Sequence, residues 1–380
     1  MPSYTINGTL KGTVTLASTQ AYASPLTVTS TGAIYASTVA GSAGITAGSA
    51  ANVYNAGTVS GYYGVDLAQG GTVINTGVIY GAYPGTAATG VTGIGVDLGA
   101  GTPAYVSNSS TGTISGGLDG ISSAGTLTLD NHGTIVSAQG SGVNMYTGMV
   151  TDYGLIEGGY LYQDAGIRIL QNGTVTVAQG GSVSGGFVGV EVSSGGSVSN
   201  YGSITGYQVG VMAYGVLAAT NGGYIFGGEI AVFAPDTLSL DNTGTIVSFN
   251  VGVDTGTGTV TNSGIVHGNV WGVRFGNHNA ASAVLNSGTI AGNDVWGTGI
   301  YLQGGTVINS GLVQGGSVSG VGIGASSATV TNASGGQITG HYGIHTTGTL
   351  DLYNAGTVSG YYGVDLAQGG TVINTGVIYG

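Results

Sequence analysis

The residues able to do chemistry are few, and several of the charged ones fall at one place in a recurring segment. Asp66, Asp97, Arg168, Glu191, Asp254 and Arg274 each follow a glycine and one Val or Ile, as in Gly64-Val65-Asp66-Leu67 and Gly272-Val273-Arg274-Phe275. Such alternation is a strand signature, with apolar side chains on one face and the charged one on the other. Extending that outward position along the chain adds Ser122, Asn144, Met212, Ala231 and Tyr301. Arg168 and Glu191 fall on successive repeats, as do Asp254 and Arg274. Structural ion pairs across strands, worth at most ~1 kcal/mol each when exposed, are their expected role.

Acid–base hydrolysis needs two carboxylates flanking one bond. The fifteen Asp and Glu are spread too thinly for that: Asp236 and Asp241 stand at opposite ends of one strand, and Asp164 is placed to pair with Arg168. Five histidines, His132, His267, His278, His341 and His345, include one i,i+4 pair, His341 and His345. In a strand that spacing does not make the helical metal pair, so surface placement is expected. Gly116–Gly120 matches the calcium-binding nonapeptide only in part. Cysteine is absent, which removes disulfides, thiolate metal sites and thiol nucleophiles together. No catalytic residue, no metal site and no cofactor are expected; the chain does not read as an enzyme. Aromatic residues gather just before the charged segment: Tyr62, Tyr63, Phe187, Tyr207, Trp271, Tyr342, Tyr361 and Tyr362. Exposed rings there would serve as a contact surface, or would shield a corner of the fold.

The elements that position these residues repeat. Asn-x-Gly, a small residue and then Ile or Val return at Asn55, Asn75, Asn131, Asn200, Asn242, Asn262, Asn286, Asn309, Asn354 and Asn374. Apolar anchors run from Ile34, Val59 and Ile79 to Val358 and Ile378, and nine of their fifteen steps are 20 or 21 residues. A fixed period in this range marks stacked units that cannot bury their apolar faces alone. Each unit holds three short segments bounded by glycine, for example Thr58-Val59-Ser60, Gly64–Leu67 and Gly71–Ile74. Glycine every few residues would cost about 1 kcal/mol per site in a helix, so the segments are strands. The predicted fold is all-β: a right-handed parallel β-helix of about 16 rungs, with three strands per rung of 20 to 21 residues. Gly and Asn are expected at corners, where positive φ is needed, and stacked Asn can form an amide ladder.

Residues 1–50 fit the period poorly and read as irregular first rungs or a cap; residues 51–380 read as the regular array. Steps longer than the period mark loops, the largest at about residues 81–96 and smaller ones near Tyr160–Asp164 and Gly276–Ala280. Residues 54–81 recur unchanged at 353–380, a duplication that suggests a piece of a longer array. Glycine supplies 80 of 380 residues, yet the apolar fraction is 41% and regularly placed, which argues for a core and against disorder. Only three Lys and Arg stand against a net charge of −12, which excludes nucleic-acid binding and disfavours anionic membranes. No apolar run is long enough to insert in a membrane as a helix. The first residues, Met1–Ile6, lack the pattern of a secretory signal.

Together these repeats, G-T-[IV]-x-G-x-x-G-V-x-L-x-x-G-G-T-V-x-N-x-G over roughly residues 50–380, resemble those of bacterial autotransporter passenger domains of the pertactin and self-associating adhesin type. The resemblance implies a β-helix on the bacterial cell surface or outside the cell, and it transfers no binding residue. The expected function is structural and adhesive: surface attachment, or lateral or end-to-end self-association into aggregates or fibres, favoured by acid as carboxylates lose charge. A host or polysaccharide surface is the other expected partner. Polysaccharide binding or cleavage is the alternative reading. Ice binding stands third, because the Thr pairs at Thr126/Thr128, Thr174/Thr176, Thr259/Thr261 and Thr329/Thr331 are interrupted by Ile74, Leu285, Ile308 and Asp351.

Overall fold

A computed structural model describes residues 4–16, 22–82, 93–161, 163–276 and 282–380. The described residues contain no helix; parallel strands stack as a β-solenoid of about 17 turns, with rungs about 21 residues apart. One turn more than the anchor count arises because Thr9–Lys11 pairs in parallel with Ala33–Tyr35, setting Leu10 opposite Ile34. Further up the chain Tyr4–Ile6 lies beside Leu26–Val28, and Val14–Leu16 beside Ala43–Ala47. The chain divides into two compact units, Met1–Ser193 with Gly202–Gly206, and Ser194–Tyr201 with Tyr207–Gly380. Each is built from the same rung. The loop expected at about 81–96 falls largely on residues 83–92, and the one near Gly276–Ala280 on 277–281; both lie outside the described residues.

One rung shows why the sequence folds this way. Thr58–Gly61, Tyr63–Leu67 and Gly71–Asn75 are its first, middle and third strands. On the next rung Val59 meets Ile79, Val65 meets Val96 and Val73 meets Val106, each pair in register. Val59, Val65, Leu67 and Val73 have no accessible surface. At ~1.5–3 kcal/mol for each buried aliphatic side chain, these internal files drive the stacking. Because each rung aligns like on like, a slip of one residue would turn the whole file outward.

In four rungs the middle and third strands run on as one: Ile121–Asn131, Val143–Asp152, Ile230–Asn242 and Val251–Asn262. The corner there becomes an irregularity within a strand, as between Ser123 and Thr126 and between Ala234 and Thr237. Where the corner is sharp, two glycines carry it, as with Gly70 at φ +73° and Gly71 at φ +133°. No Asn shares that role: among the described residues Gln163 alone, apart from glycine, has positive φ. The repeated Asn instead closes the third strand in extended conformation, as Asn75 closes Gly71–Asn75.

A second set of glycines has a steric task that periodicity did not reveal. At Gly272 an added Cβ would lie 2.6 Å from Gly299 O and 2.8 Å from Ile290 Cγ2. Gly64, Gly95, Gly120 and Gly142 meet the same kinds of neighbour: a carbonyl of the next rung and an aliphatic side chain of the first strand. The Gly before each Val-x-Leu segment is thus a point of close approach, where the middle strand passes over the core.

Candidate functional site

Side-chain chemistry is organised in columns, because parallel rungs in register stack equivalent positions. The most continuous column is internal. In the second unit Asn200, Asn221, Asn242, Asn262, Asn286, Asn309, Asn332, Asn354 and Asn374 form an amide ladder, each Nδ2 donating to the next Oδ1 at 2.7–2.9 Å. The other Nδ2 hydrogen is shared between two carbonyls. For Asn286 these are Gly288 O at 3.2 Å and Leu312 O at 3.0 Å. The first unit repeats the pattern from Asn55 through Asn75, Asn108 and Asn131, where it ends on Asp152. The Asn-x-Gly signature overlooks Asn108 and Asn332, whose glycine spacing differs, Asn221, which has Tyr224 where the signature asks for a small residue, and Asp152, which is not an amide. A signal was present: all four close a third strand.

The outward column of the middle strand carries the charges. Arg168 Nε donates to Glu191 Oε2 at 2.8 Å, and Glu191 also accepts from Ser193 Oγ. Arg274 Nε donates to Asp254 Oδ1 at 2.9 Å while Nη2 bonds Oδ2, a two-pronged pair. Bonding to Asp254 holds the Arg274 guanidinium above its ordinary pKa, and the same guanidinium lies 4.8 Å over the Trp271 ring. Only 8% of the Asp254 side chain is exposed, so this pair should exceed the ~0.2–1 kcal/mol of solvated pairs. A double-mutant cycle with Arg274→Ala and Asp254→Ala should read a coupling of about 1–2 kcal/mol in urea unfolding; additive effects would contradict this.

Ala231 does not belong to that column. Phe233 is the register partner of both Met212 and Asp254, and Ala231 is fully buried. Ala231 occupies the place that glycine holds in the neighbouring rungs, so counting from a missing glycine displaced the reading by two residues. In the first unit Asp66 and Asp97 are register partners on successive rungs. Burial raises the pKa of each, and for Asp66 the neighbouring Asp97 raises it further, against hydrogen bonds from Thr46 and Ser122. Two such carboxyls hold protons at milder acidity than free aspartate. Asp119 is also raised by burial, although Ser141 N–H at 2.8 Å and Asn144 Nδ2 at 3.2 Å donate to it. Asp164 is buried with a raised pKa; its Oδ2 accepts from Leu161 N–H at 2.8 Å, and Arg168 bonds the Gln163 carbonyl.

Of the aromatic set, Tyr342, Tyr361 and Tyr362 come together: Tyr342 stacks on Tyr362 at 4.9 Å, and His341 stacks on Tyr361 at 5.1 Å. His345 Nδ1 lies 2.9 Å from Asp365 Oδ2 beside them. Tyr62 and Tyr63 meet edge to face at 4.9 Å. Burial, then Asp97, raises the Tyr63 pKa. Phe187 and Trp271 are half-buried, whereas Tyr207 is 72% exposed. His132 stacks on Tyr153 and pairs with Asp130; His267 is half-buried, with its pKa lowered by desolvation and its Nε2 covered and unbonded. His278 lies outside the described residues. Among the described residues no three His, Asp or Glu converge as metal ligands. Comparison of the chain with family models, curated proteins and solved structures gave no match.

The third-strand sheet of the second unit has the plainest contact surface. Leu285, Ile308, Thr331, Tyr353 and Ile373 face outward on successive rungs, each the register partner of the next. Leu285, Ile308, Tyr353 and Ile373 are each two-fifths to one-half exposed. Beside them run Ala283, Thr306, Thr329, Asp351 and Thr371. This is an apolar stripe edged by hydroxyls, with a single charge.

Proposed function

We propose that the chain is an extracellular structural and adhesive β-solenoid that attaches cell surfaces or self-associates laterally. One observation carries the reading: the stripe Leu285–Ile308–Tyr353–Ile373, exposed on a regular sheet with one carboxylate beside it. Apolar side chains repeated at the rung spacing suit a second surface of the same period. The repeats' resemblance to autotransporter passenger domains extends the proposal to display on the bacterial surface. No catalytic role is part of it.

Charge supplies the control. A net charge of −12 keeps copies apart at neutral pH, and the raised Asp66, Asp97, Asp119 and Asp164 neutralise early on acidification. Sedimentation from pH 7 to pH 4 should show association increasing as pH falls, and Ile308→Lys with Tyr353→Lys should reduce it at least ten-fold. A monomer throughout, or association untouched by both lysines, would overturn the reading. The exposed rings of Tyr361 and Tyr362, with half-buried His341 stacked on Tyr361, favour a second reading, a polysaccharide-binding surface. Retention on immobilised acidic or neutral glycans, lost in Tyr361→Ala, would favour it over self-association.

A further inference from the structure

Asp152 breaks the amide ladder in a way that defines its chemistry. It accepts from Asn131 Nδ2 at 2.7 Å through Oδ1, which also receives Gly154 N–H at 3.2 Å. Those are the bonds made by an Asn Oδ1 elsewhere, as at Asn55, where Gly57 N–H donates at 3.2 Å. Oδ2 therefore stands where the other positions have Nδ2. At Asn131 that group donates to Gly133 O at 3.3 Å and to Leu155 O at 3.2 Å, both acceptors. The equivalent carbonyls one rung on are those of Gly154 and Ser182, since Ser182 is the register partner of Leu155. The next ladder position is Val177, which offers no polar atom. Asp152 has no accessible surface, and its Oδ2 is buried with no hydrogen-bond partner.

We propose that Asp152 is a proton-binding site built into the ladder: its carboxylic O–H replaces an amide N–H, and ionisation loosens the rungs it joins. A bare carboxylate there would aim a lone pair at carbonyl oxygens, with no water to screen it. The amide–carbonyl contacts of 3.2–3.3 Å at Asn131 are of hydrogen-bond length, so at the equivalent place a carboxylic O–H can donate where the amide N–H does. Surrounding charges are few. Asp130 and His132 from the preceding rung pair with each other at 3.3 Å; Tyr153 follows Asp152, and Glu157 on the next strand accepts from Tyr160. Gly173–Val177 and Ser182–Gly185, packed from the following rung, bring no titratable group. Burial pushes the Asp152 carboxyl up to about 6, against the hydrogen bonds from Asn131 and the backbones of Gly154 and Ser182, and against the nearby His132.

The linkage has a definite sign. Between pH 3.8 and about 6 the folded chain keeps a proton that the unfolded chain releases. Stability therefore falls as pH rises through that window, by up to ten-fold in the unfolding constant per unit. Urea unfolding of the full chain and of Asp152→Asn from pH 4 to pH 8 tests this. The ratio of their unfolding constants should change by about a hundred-fold across the range and level off above pH 6. Infrared difference spectra should show a protonated carboxyl band at pH 5 that is absent from Asp152→Asn. A pH-independent ratio, an ionised Asp152 at pH 5, or a pH dependence abolished by calcium would overturn the proposal.

Discussion

Asn286→Ala should destabilise the second unit by about 4 kcal/mol, far more than its change in volume implies. The substitution removes the acceptor of Asn262 Nδ2 at 2.8 Å and the donor to Asn309 Oδ1 at 2.8 Å. It also withdraws the donor shared by Gly288 O and Leu312 O. The Asn262 and Asn309 amides left without partners are buried and the two carbonyls partly so, and a buried polar group without a partner costs about 1–3 kcal/mol. The column transmits the loss, because neighbouring amides polarise one another along the chain of bonds. Urea unfolding at pH 7 reads the effect; a change below 1 kcal/mol would mean that the ladder contributes little beyond packing. Asn286→Asp should be at least as damaging at pH 8 and milder at pH 4, since only its protonated form can donate.

Two glycines of one strand should give opposite results. Gly322 and Gly324 both lie in Val321–Ala325. A Cβ on Gly322 would stand 2.5 Å from Gly343 O and 2.8 Å from Ile338 Cγ2, with Thr339 O at 2.9 Å. Two of those neighbours are main chain, held by the next rung, and cannot yield. Gly322→Ala should therefore destabilise by about 3 kcal/mol, at the upper end of overpacking effects. On Gly324 the nearest atom is Tyr301 Cδ2 at 3.5 Å, an ordinary contact. There Ala removes freedom from the unfolded chain and should stabilise by up to ~1 kcal/mol. Thermal unfolding of the two variants decides; equal midpoints would refute the close-approach argument.

The rung was legible in the sequence because each level of pattern agreed with the others. Asn-x-Gly marked the first strand, Gly-Val-x-Leu the middle strand and Gly-Thr-Val-x-Asn the third, so anchors such as Val59 and Ile79 pair as expected. The ion pairs followed from register alone, since Arg168 and Glu191, and Asp254 and Arg274, hold equivalent positions. Glycine was harder. Composition cannot separate Gly71, which turns a corner at φ +133°, from Gly64, which admits Ile79 Cγ2 and Gly95 O. Asn was half legible: the amide ladder expected of stacked Asn is present, but the positive-φ corner is not, because left-handed preference is a local property and the ladder depends on neighbours 20 or more residues away. Asp152 escaped a signature written for Asn alone, although Asp152-Tyr-Gly154-Leu-Ile156 keeps the spacing of the repeat. Its place in the column shows the equivalence.

In-register parallel stacking is the central claim, and the absence of cysteine allows a direct test. Thr306 and Thr329 are register partners on adjacent third strands, whereas Thr331 is the partner of Ile308. Adjacent strands lie ~4.8 Å apart, within the Cα range of ~4.4–6.8 Å that a disulfide accepts. Under mild oxidation the chain carrying Thr306→Cys and Thr329→Cys should cross-link rapidly and nearly completely, and the chain carrying Thr306→Cys and Thr331→Cys far more slowly. Equal rates for the two pairs, or faster closure of the second, would contradict the stacked rungs on which the amide ladder, the close-approach glycines and the exposed stripe all depend.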